Sequence, residues 1–244
     1  MTPFDSYAHA VRCAARIVEE GGKSFWIAMN PEKAHRAGRD ERLRRVLNQA
    51  DVGICDGIGI SFAARMLQGR WVPRVTGCDL FFHLLEAARD RGWGVFLFGA
   101  DPDSNEQAAA SLVERYNGLR IVGRHSGYFQ DVQPVIEAIN ASGAQLLFVA
   151  MGSPRQEYWI AEHFDRLAPR LCLGVGGSFD VASGKSRRAP GWIRRLGLEF
   201  LYRALTTPGW KLGARWERTW VKIRYGLSVL RQRLTGRRSQ PPPP

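Results

Sequence analysis

The sequence has few of the features that mark secreted or membrane-spanning proteins. Its four cysteines, Cys13, Cys55, Cys78 and Cys172, show no CxxC or zinc-finger spacing, which is typical of a reduced cytosolic chain with ordinary buried thiols. The N-terminus lacks the charged-then-apolar layout of a signal peptide. No apolar run approaches the roughly 18 residues of a spanning helix. We therefore expect a cytosolic protein that does not cross a membrane.

Motifs for metal, nucleotide-phosphate and hydrolase sites are also missing. The five histidines have no HxxxH spacing with a carboxylate between them, and the chain contains neither GxSxG nor GxxxxGK[ST]. One formal DxD sequence, Asp101-Pro102-Asp103, lies at the start of a predicted helix, where capping by the aspartate is the favoured interpretation. The residues therefore indicate no metal site, and we expect no cofactor.

The basic residues are concentrated towards the C-terminal end. Residues 184–244 contain 15 of the 35 Lys and Arg residues but only two of the 23 Asp and Glu residues, a balance of +13, whereas residues 1–183 have a balance of −1. Such asymmetry indicates a polyanionic partner, either nucleic acid or anionic lipid. We therefore divide the chain into a core at 1–183, a basic helical appendage at 184–236 and a disordered tail at 237–244.

Short apolar runs alternate with helical segments through the core. Each run is too short for a buried helix and is typical of a strand that is covered on both faces. The runs are residues 25–29, 52–55, 95–98, 119–122, 146–150 and 171–175. This alternation predicts an α/β fold with a Rossmann-like, largely parallel sheet flanked by helices.

Polar residues follow several of these strands, at the edge where ligands bind in open α/β sheets. Asn30 follows the first strand, Asp56 follows the second, Arg74 precedes a helix, and Gln156 lies beyond the fifth strand. This set suits a displacement reaction with one general base, Asp56, and electrostatic support for a leaving phosphate. The alternatives are a helix-capping role for Asp56 and a solvated surface position for Arg74.

The appendage carries a helical stripe of large apolar residues. From Trp216 to Leu234 they recur at alternating steps of four and three, and the basic residues lie largely off this stripe. A basic helix with a tryptophan and aliphatic face is typical of a helix lying in a membrane interface. Nucleic acid is disfavoured because the aromatic residues share the aliphatic stripe instead of interleaving with the arginines. The alternative is a helix that packs this stripe on the core.

Seven short motifs, in this order and spacing, resemble those of the WecG/TagA/CpsF glycosyltransferases (glycosyltransferase family 26). In sequence letters they are NP at residue 30, CDGIG at 55, RVTGCDL at 74, FLFGA at 96, GYF at 127, GSPRQE at 152 and GVGGSFD at 174. Any one of them alone would be weak, but the seven together cover roughly residues 25–203 and make the resemblance specific.

The resemblance implies an inverting, metal-independent transfer of a sugar from a UDP-sugar to a polyprenyl-diphosphate-linked glycan in cell-wall or exopolysaccharide synthesis. The sugar in this family is N-acetylmannosamine, its uronic acid or glucuronic acid. By motif, Asp56 matches the proposed general base, and Asn30, Arg74 and Gln156 match positions around the donor sugar and diphosphate. The other motif residues expected at the nucleotide sugar are Gly57, Gly99, Ala100, Tyr128, Phe129, Met151, Gly152, Pro154, Glu157, Gly176 and Asp180.

The resemblance also implies that the appendage docks on an anionic membrane surface and brings arginines over the active site. The protein is then expected to be peripheral on the cytoplasmic face of the plasma membrane, with Arg194, Arg195 and Arg203 as candidates for reaching the diphosphate. Nucleic acid is not an expected partner. A homo-oligomer is possible, and the sequence does not decide the oligomeric state. One departure is Ala28, because many relatives have a threonine two residues before the asparagine.

Two other functional classes stay open from the residues. The sheet, with a CDGIGI sequence that resembles part of a dinucleotide fingerprint but lacks its full GxGxxG spacing, leaves an NAD(P)-binding oxidoreductase as an alternative. The tail alone leaves a non-catalytic membrane adaptor. Binding of UDP favours the glycosyltransferase, binding of NAD(P) favours the oxidoreductase, and binding of neither favours the adaptor.

Overall fold

A computed structural model describes residues 4–195, 199, 202 and 212–235, and it leaves out the side chains of 195 and 212–218. The described strands are β1 (Ser24–Met29), β2 (Val52–Cys55), β3 (Gly94–Gly99), β4 (Arg120–His125), β5 (Leu146–Ala150) and β6 (Leu171–Gly174). The helices before β4 are α1 (Tyr7–Glu19), α2 (Pro31–Ala37), α3 (Glu41–Gln49), α4 (Ile58–Gln68), α5 (Gly77–Arg91) and α6 (Pro102–Arg115). Those after β4 are α7 (Gln133–Ala141), α8 (Arg155–His163), α9 (Ser178–Ala182), α10 (Gly191–Arg195) and α11 (Leu212–Thr235), with a 3-10 turn at Phe164–Arg166.

The six described strands form one sheet in the order β2-β1-β6-β5-β3-β4, and every neighbouring pair is parallel. The predicted Rossmann-like sheet is therefore confirmed, and each of the six apolar runs contains at least half of a strand. Because all strands run in the same direction, the loops that follow them meet at one edge of the sheet.

Side chains alternate between the two faces of the sheet, as the period of a strand requires. Phe148 of β5 packs edge-on against Phe81 of α5, with ring centroids 4.8 Å apart. On the opposite face, Phe98 of β3 packs against Trp159 of α8 at 4.5 Å. Helices α1, α5, α6 and α9 contribute to the first layer, and α3, α7 and α8 contribute to the second.

Several helix starts are fixed by the side chain that precedes them. Asn30, Asp40, Thr76 and Asp101 each accept a hydrogen bond from a backbone N–H in the first turn of α2, α3, α5 and α6. The capping interpretation of Asp101 is thus confirmed. Asp56 does not cap α4, because the N-cap position is Gly57, whose φ of 118° only glycine adopts readily.

Helix α11 packs across α2 and α4. The face that it buries carries Thr219 and Val229, with Tyr225 against the small cluster of α4 and its neighbours. The predicted apolar stripe lies on a different face, and its described members Trp220, Ile223, Leu227, Leu230 and Leu234 are exposed. The alternative in which this stripe packs on the core is therefore wrong. No described helix is long and apolar enough to span a membrane.

Candidate active site

A cleft of about 590 Å³ lies over the carboxyl ends of β2, β1, β6 and β5. Asn30 after β1, Asp56 after β2, Arg74 ahead of α5 and Gln156 at the start of α8 all line it. The loop after β6 contributes Gly176 to the same cleft. The structure therefore brings together the residues that the sequence places far apart, because the parallel strands all end at this edge.

Asp56 lies deep in this cleft and does not have the environment of a surface carboxylate. Its carboxylate accepts a hydrogen bond from the N–H of Gly77 in the first turn of α5, where the helix dipole favours negative charge. Burial nevertheless raises the pKa of Asp56 above its ordinary value, against the opposing positive charges of Lys33 and Arg74. A carboxylate whose pKa is raised in this way is a stronger proton acceptor than an exposed one.

Gly77 is required by the close approach of α5 to β1. A Cβ atom built on Gly77 would lie 2.8 Å from Cβ of Ala28, closer than carbon atoms pack. Ala28, the departure from the family motif described above, also lines the cleft. The small pair lets the N-terminus of α5 approach Asp56 closely enough to donate the Gly77 hydrogen bond.

A buried ion pair between Lys33, which lines the cleft, and Glu157 holds Gln156. Nζ of Lys33 lies 2.7 Å from Oε1 of Glu157 and also donates to the carbonyl of Ala28 at 2.7 Å. The same Oε1 accepts a hydrogen bond from Nε2 of Gln156 at 3.0 Å, which turns Oε1 of Gln156 to accept the N–H of Gly176 at 3.0 Å. Lys33 and Glu157 are therefore positioning residues for the amide that faces the cleft.

The side chains of Asn30 and Arg74 are each held by a hydrogen bond to the backbone. Oδ1 of Asn30 accepts the N–H of Lys33 at 2.9 Å and so caps α2, and no described residue accepts a hydrogen bond from its Nδ2. Arg74 donates from Nη2 to the backbone carbonyl of Arg194 in α10. Arg74 is thus a part-buried residue of the cleft that contacts the appendage, and the alternative of a solvated surface arginine is wrong.

A group of ion pairs joins the start of the appendage to the core. Arg188 forms ion pairs with Asp79 and with Glu199, and Arg194 binds Asp79 at 2.9 Å. Burial opposes ionisation of Asp79, but the hydrogen bonds and charge of Arg188, with Thr76 and Arg194, hold its pKa below the usual value. Burial opposes the charged form of Arg188 as well, but its hydrogen bonds to Glu199 and Asp79 raise its pKa above the ordinary value. Arg188 and Glu199 also line the cleft.

The other residues expected at the nucleotide sugar are placed in two groups. Gly57 and Gly176 line the cleft. The other nine are not among the residues that line it. Gly99 ends β3 and Ala100 follows it, Met151 and Gly152 follow β5, and Tyr128 and Phe129 lie beyond β4. Pro154 and Glu157 are buried around the start of α8, and Asp180 lies in the first turn of α9.

Of the three candidate arginines in the appendage, only Arg194 has a described side chain. The side chain of Arg195 and all of Arg203 lie outside the described residues. Sequence reasoning missed Lys33, Arg188 and Lys222 as cleft residues. Lys33 lies three residues after Asn30 in a predicted helix. This spacing places the two residues on the same side of the helix, and it is the feature of the sequence that could have identified Lys33. Within the described residues, no group of three or more His, Cys, Asp or Glu side chains could hold a metal ion.

The chain is similar in sequence to known glycosyltransferases. The sequence matches the family described as "Glycosyl transferase WecG/TagA/CpsF family" over residues 2–239. It is 34% identical over 215 residues to the N-acetylglucosaminyldiphosphoundecaprenol N-acetyl-beta-D-mannosaminyltransferase of Bacillus subtilis (strain 168), covering 88% of this chain and 82% of the relative. The protein of the same description from Bacillus spizizenii is 33% identical over 214 residues, covering 88% and 81%.

Proposed function

The chain belongs to the WecG/TagA/CpsF glycosyltransferase family, and we propose that it transfers an N-acetylmannosamine-type sugar from a UDP-sugar to a polyprenyl-diphosphate-linked acceptor. The observation that carries the proposal is the position of Asp56, a partly exposed carboxylate of raised pKa that lines a cleft with Arg74 and Gln156. The sugar and acceptor are taken from the names of the Bacillus relatives, which describe an N-acetylmannosaminyl donor group and an N-acetylglucosaminyl-diphospholipid acceptor.

In the proposed reaction, Asp56 accepts the proton of the acceptor hydroxyl as its oxygen attacks the anomeric carbon of the donor sugar. The bond between that carbon and the diphosphate oxygen breaks, and UDP leaves with the bonding electrons. Attack from the side opposite the leaving group inverts the configuration at the anomeric carbon. Arg74 stabilises the negative charge that develops on the diphosphate, because a fixed guanidinium in a partly buried cleft acts without reorganisation.

Gln156 and Asn30 have the side-chain groups to orient the donor sugar. Oε1 of Gln156 is occupied by Gly176, and Oδ1 of Asn30 is occupied by Lys33, so their polar groups are held in fixed directions. Positioning of this kind contributes to the rate by restricting the reactants to a productive geometry. In this proposal Arg74 stabilises the charge on the leaving diphosphate, in agreement with the metal-independent transfer that the family resemblance implies.

The nucleotide is proposed to extend from the cleft towards the ends of β3 and β5. These strands are neighbours, but α6 after β3 packs on one face of the sheet and α8 after β5 packs on the other. Where the loops after neighbouring strands turn to opposite faces, such sheets usually bind a nucleotide. Gly99, Ala100, Met151 and Gly152 lie at these two strand ends, and their role in UDP binding is part of the proposal.

The acceptor is proposed to reach the cleft from a membrane on which α11 lies. The exposed stripe of α11, headed by Trp220, and the exposed Arg224, Arg231 and Arg233 support this placement. The protein would then be peripheral on the cytoplasmic face of the plasma membrane. Lys222 and Ile223 of this helix line the cleft, so the membrane-facing helix and the site are in direct contact.

The test is turnover of UDP-N-acetylmannosamine with N-acetylglucosaminyl-diphosphoundecaprenol, measured as UDP release, for the full chain and for Asp56→Asn. Loss of a positioned general base lowers turnover roughly a hundredfold or more. The control is Asp90→Asn, which removes an exposed carboxylate paired with Arg89 and leaves turnover unchanged. Near-normal turnover of Asp56→Asn contradicts the role of Asp56. Binding of NAD(P) in preference to UDP contradicts the proposed reaction as a whole.

A further inference from the structure

Helix α4 has apolar residues on two faces. Ile60, Ala63 and Ala64 are buried, and Ile60 and Ala64 belong to the cluster that packs against Tyr225 of α11. On the outward side, Ile58 and Phe62, one helical turn apart, are 39% and 37% exposed, and Trp71 beyond the helix is 54% exposed. A soluble monomer seldom leaves neighbouring large apolar side chains in water unless they form an interaction site.

Positive charges predominate along the two chain segments that carry this face. Residues 57–74 contain Arg65, Arg70 and Arg74 and no Asp or Glu. Residues 212–235 of α11 contain six Lys and Arg residues and one acidic residue, Glu217. Exposed tryptophan, phenylalanine and aliphatic side chains among arginines are the combination that binds the interface of an anionic bilayer.

The exposed faces of α4 and α11 meet at the mouth of the active-site cleft. The two helices pack against each other, and Ile58 and Ile223, each half-exposed, both line the cleft. From Ile58 the exposed row continues along α4 to Phe62, and from Ile223 it continues along α11 to Leu227 and Leu230. The core and the appendage thus contribute to one surface, which we call the cleft-mouth surface.

We propose that the cleft-mouth surface, formed by Ile58, Phe62 and Trp71 of the core together with the exposed stripe of α11, docks on an anionic lipid bilayer. The proposal rests on the proposed function for the reason why docking is useful, and it adds a docking element that belongs to the core. The bilayer then lies against the mouth of the cleft itself, two residues from Asp56 along the chain. An acceptor held in the membrane by its polyprenyl chain would enter the cleft with its diphosphate passing Arg74.

The experiment compares the wild-type full chain with Phe62→Ser and Trp71→Ser, which change exposed side chains that do not line the cleft. The matched control is Val113→Ser, an exposed aliphatic residue of α6, 48% accessible and outside this surface. Binding is measured by co-sedimentation with vesicles of phosphatidylglycerol and phosphatidylcholine. Turnover is measured with the acceptor embedded in the same vesicles and with a short-chain, water-soluble analogue of it.

Each of the two substitutions is expected to weaken vesicle binding by roughly tenfold, the order expected when one large apolar contact with the bilayer is lost. Turnover of the embedded acceptor falls with it, whereas turnover of the soluble analogue and all properties of Val113→Ser stay at the wild-type level. Unchanged vesicle binding in both variants overturns the proposal. So does self-association of the wild-type chain in sedimentation equilibrium that either variant abolishes, because a second copy would then cover the surface.

Failure of this proposal can be separated from failure of the proposed function. A wild-type chain that releases no UDP with either acceptor contradicts the transferase reaction, while its vesicle binding and the effect of Phe62→Ser still test the docking surface. Normal turnover with the soluble analogue combined with unaltered binding of the variants to vesicles retains the reaction and overturns the docking surface.

Discussion

Nζ of Lys33 lies 2.7 Å from Oε1 of Glu157, and their side chains are only 6% and 1% exposed. The pair joins the helix after β1 to the helix after β5, and through Gln156 it also holds the loop after β6. Taking both charges out of water costs free energy that their mutual attraction only partly offsets. A role in fixing Gln156 explains why the site contains such a pair.

Lys33→Met is expected to lower the free energy of unfolding by about 3–5 kcal/mol, because it leaves the carboxylate of Glu157 buried without a counter-charge. The double variant Lys33→Met/Glu157→Gln restores part of this loss, since glutamine keeps an oxygen for Gln156 and carries no charge. Urea unfolding at pH 7 measures both. Additive losses in the double variant would show that the two side chains do not act as a pair.

The same substitution is expected to change the pH dependence of turnover. The charge of Lys33 opposes the rise in the pKa of Asp56, so its removal raises that pKa further. The acidic limb of the kcat/KM profile then moves to higher pH in any fraction of Lys33→Met that remains folded. An acidic limb that does not move would leave Lys33 with a structural role only.

Asp56→Asn is expected to unfold at a higher temperature than the wild type at pH 7. The pKa of Asp56 is raised in the folded state above its ordinary value of 3.8, so ionisation of this group destabilises the fold as pH rises from the unfolded pKa through the folded pKa. Asparagine removes that cost and keeps an oxygen for the N–H of Gly77. Melting curves from pH 3 to pH 8 check this, and the advantage of the variant should disappear below about pH 3.8. A variant that melts below the wild type at pH 7 would contradict the burial cost.

Gly174→Ala is expected to lower turnover by roughly tenfold to a hundredfold while the fold is retained. A Cβ atom on Gly174 would lie 2.5 Å from Nε2 of Gln156, and displacement of that side chain by about 1 Å misplaces the amide in the cleft. Gly191→Ala is the matched control, because a Cβ atom there meets nothing within 4 Å. UDP release and the melting temperature are measured for both. Equal turnover of the two variants would show that Gln156 tolerates the shift.

Asp79→Asn is expected to lower the free energy of unfolding by about 1–3 kcal/mol at pH 7, the value of hydrogen bonds to a charged group. The folded pKa of Asp79 is depressed, so its contribution is present above its unfolded pKa of 3.8 and is lost as pH falls through the folded value. The difference between variant and wild type should therefore shrink below pH 3.8. Asp90→Asn, in an exposed pair with Arg89, changes stability by less than about 0.5 kcal/mol. A loss that does not depend on pH would exclude charge as its cause.

The sequence predicts the strands and the residues at their ends because both depend on local patterns. Six apolar runs could be recognised without knowing their neighbours, and parallel strands necessarily present Asn30, Asp56 and Gln156 at one edge. The charge division at residue 184 and the apolar stripe from Trp216 to Leu234 are likewise properties of neighbouring residues. The resemblance to the glycosyltransferase family rests on the same motifs, and the family match over residues 2–239 confirms it.

The pairings that complete the site are decided by the tertiary structure alone. Lys33 meets Glu157 because β1 and β5 lie on either side of β6, and Arg188 meets Asp79 across 109 residues of sequence. No periodicity specifies which strand lies beside which, so neither pair could be read from the chain. The face of α11 that packs is also set by its neighbours: the surface of α2 and α4 accepts Thr219, Tyr225 and Val229, which leaves the apolar stripe outside. The sequence thus determined which residues could form a site and a membrane face, and the order of the strands determined which of them meet.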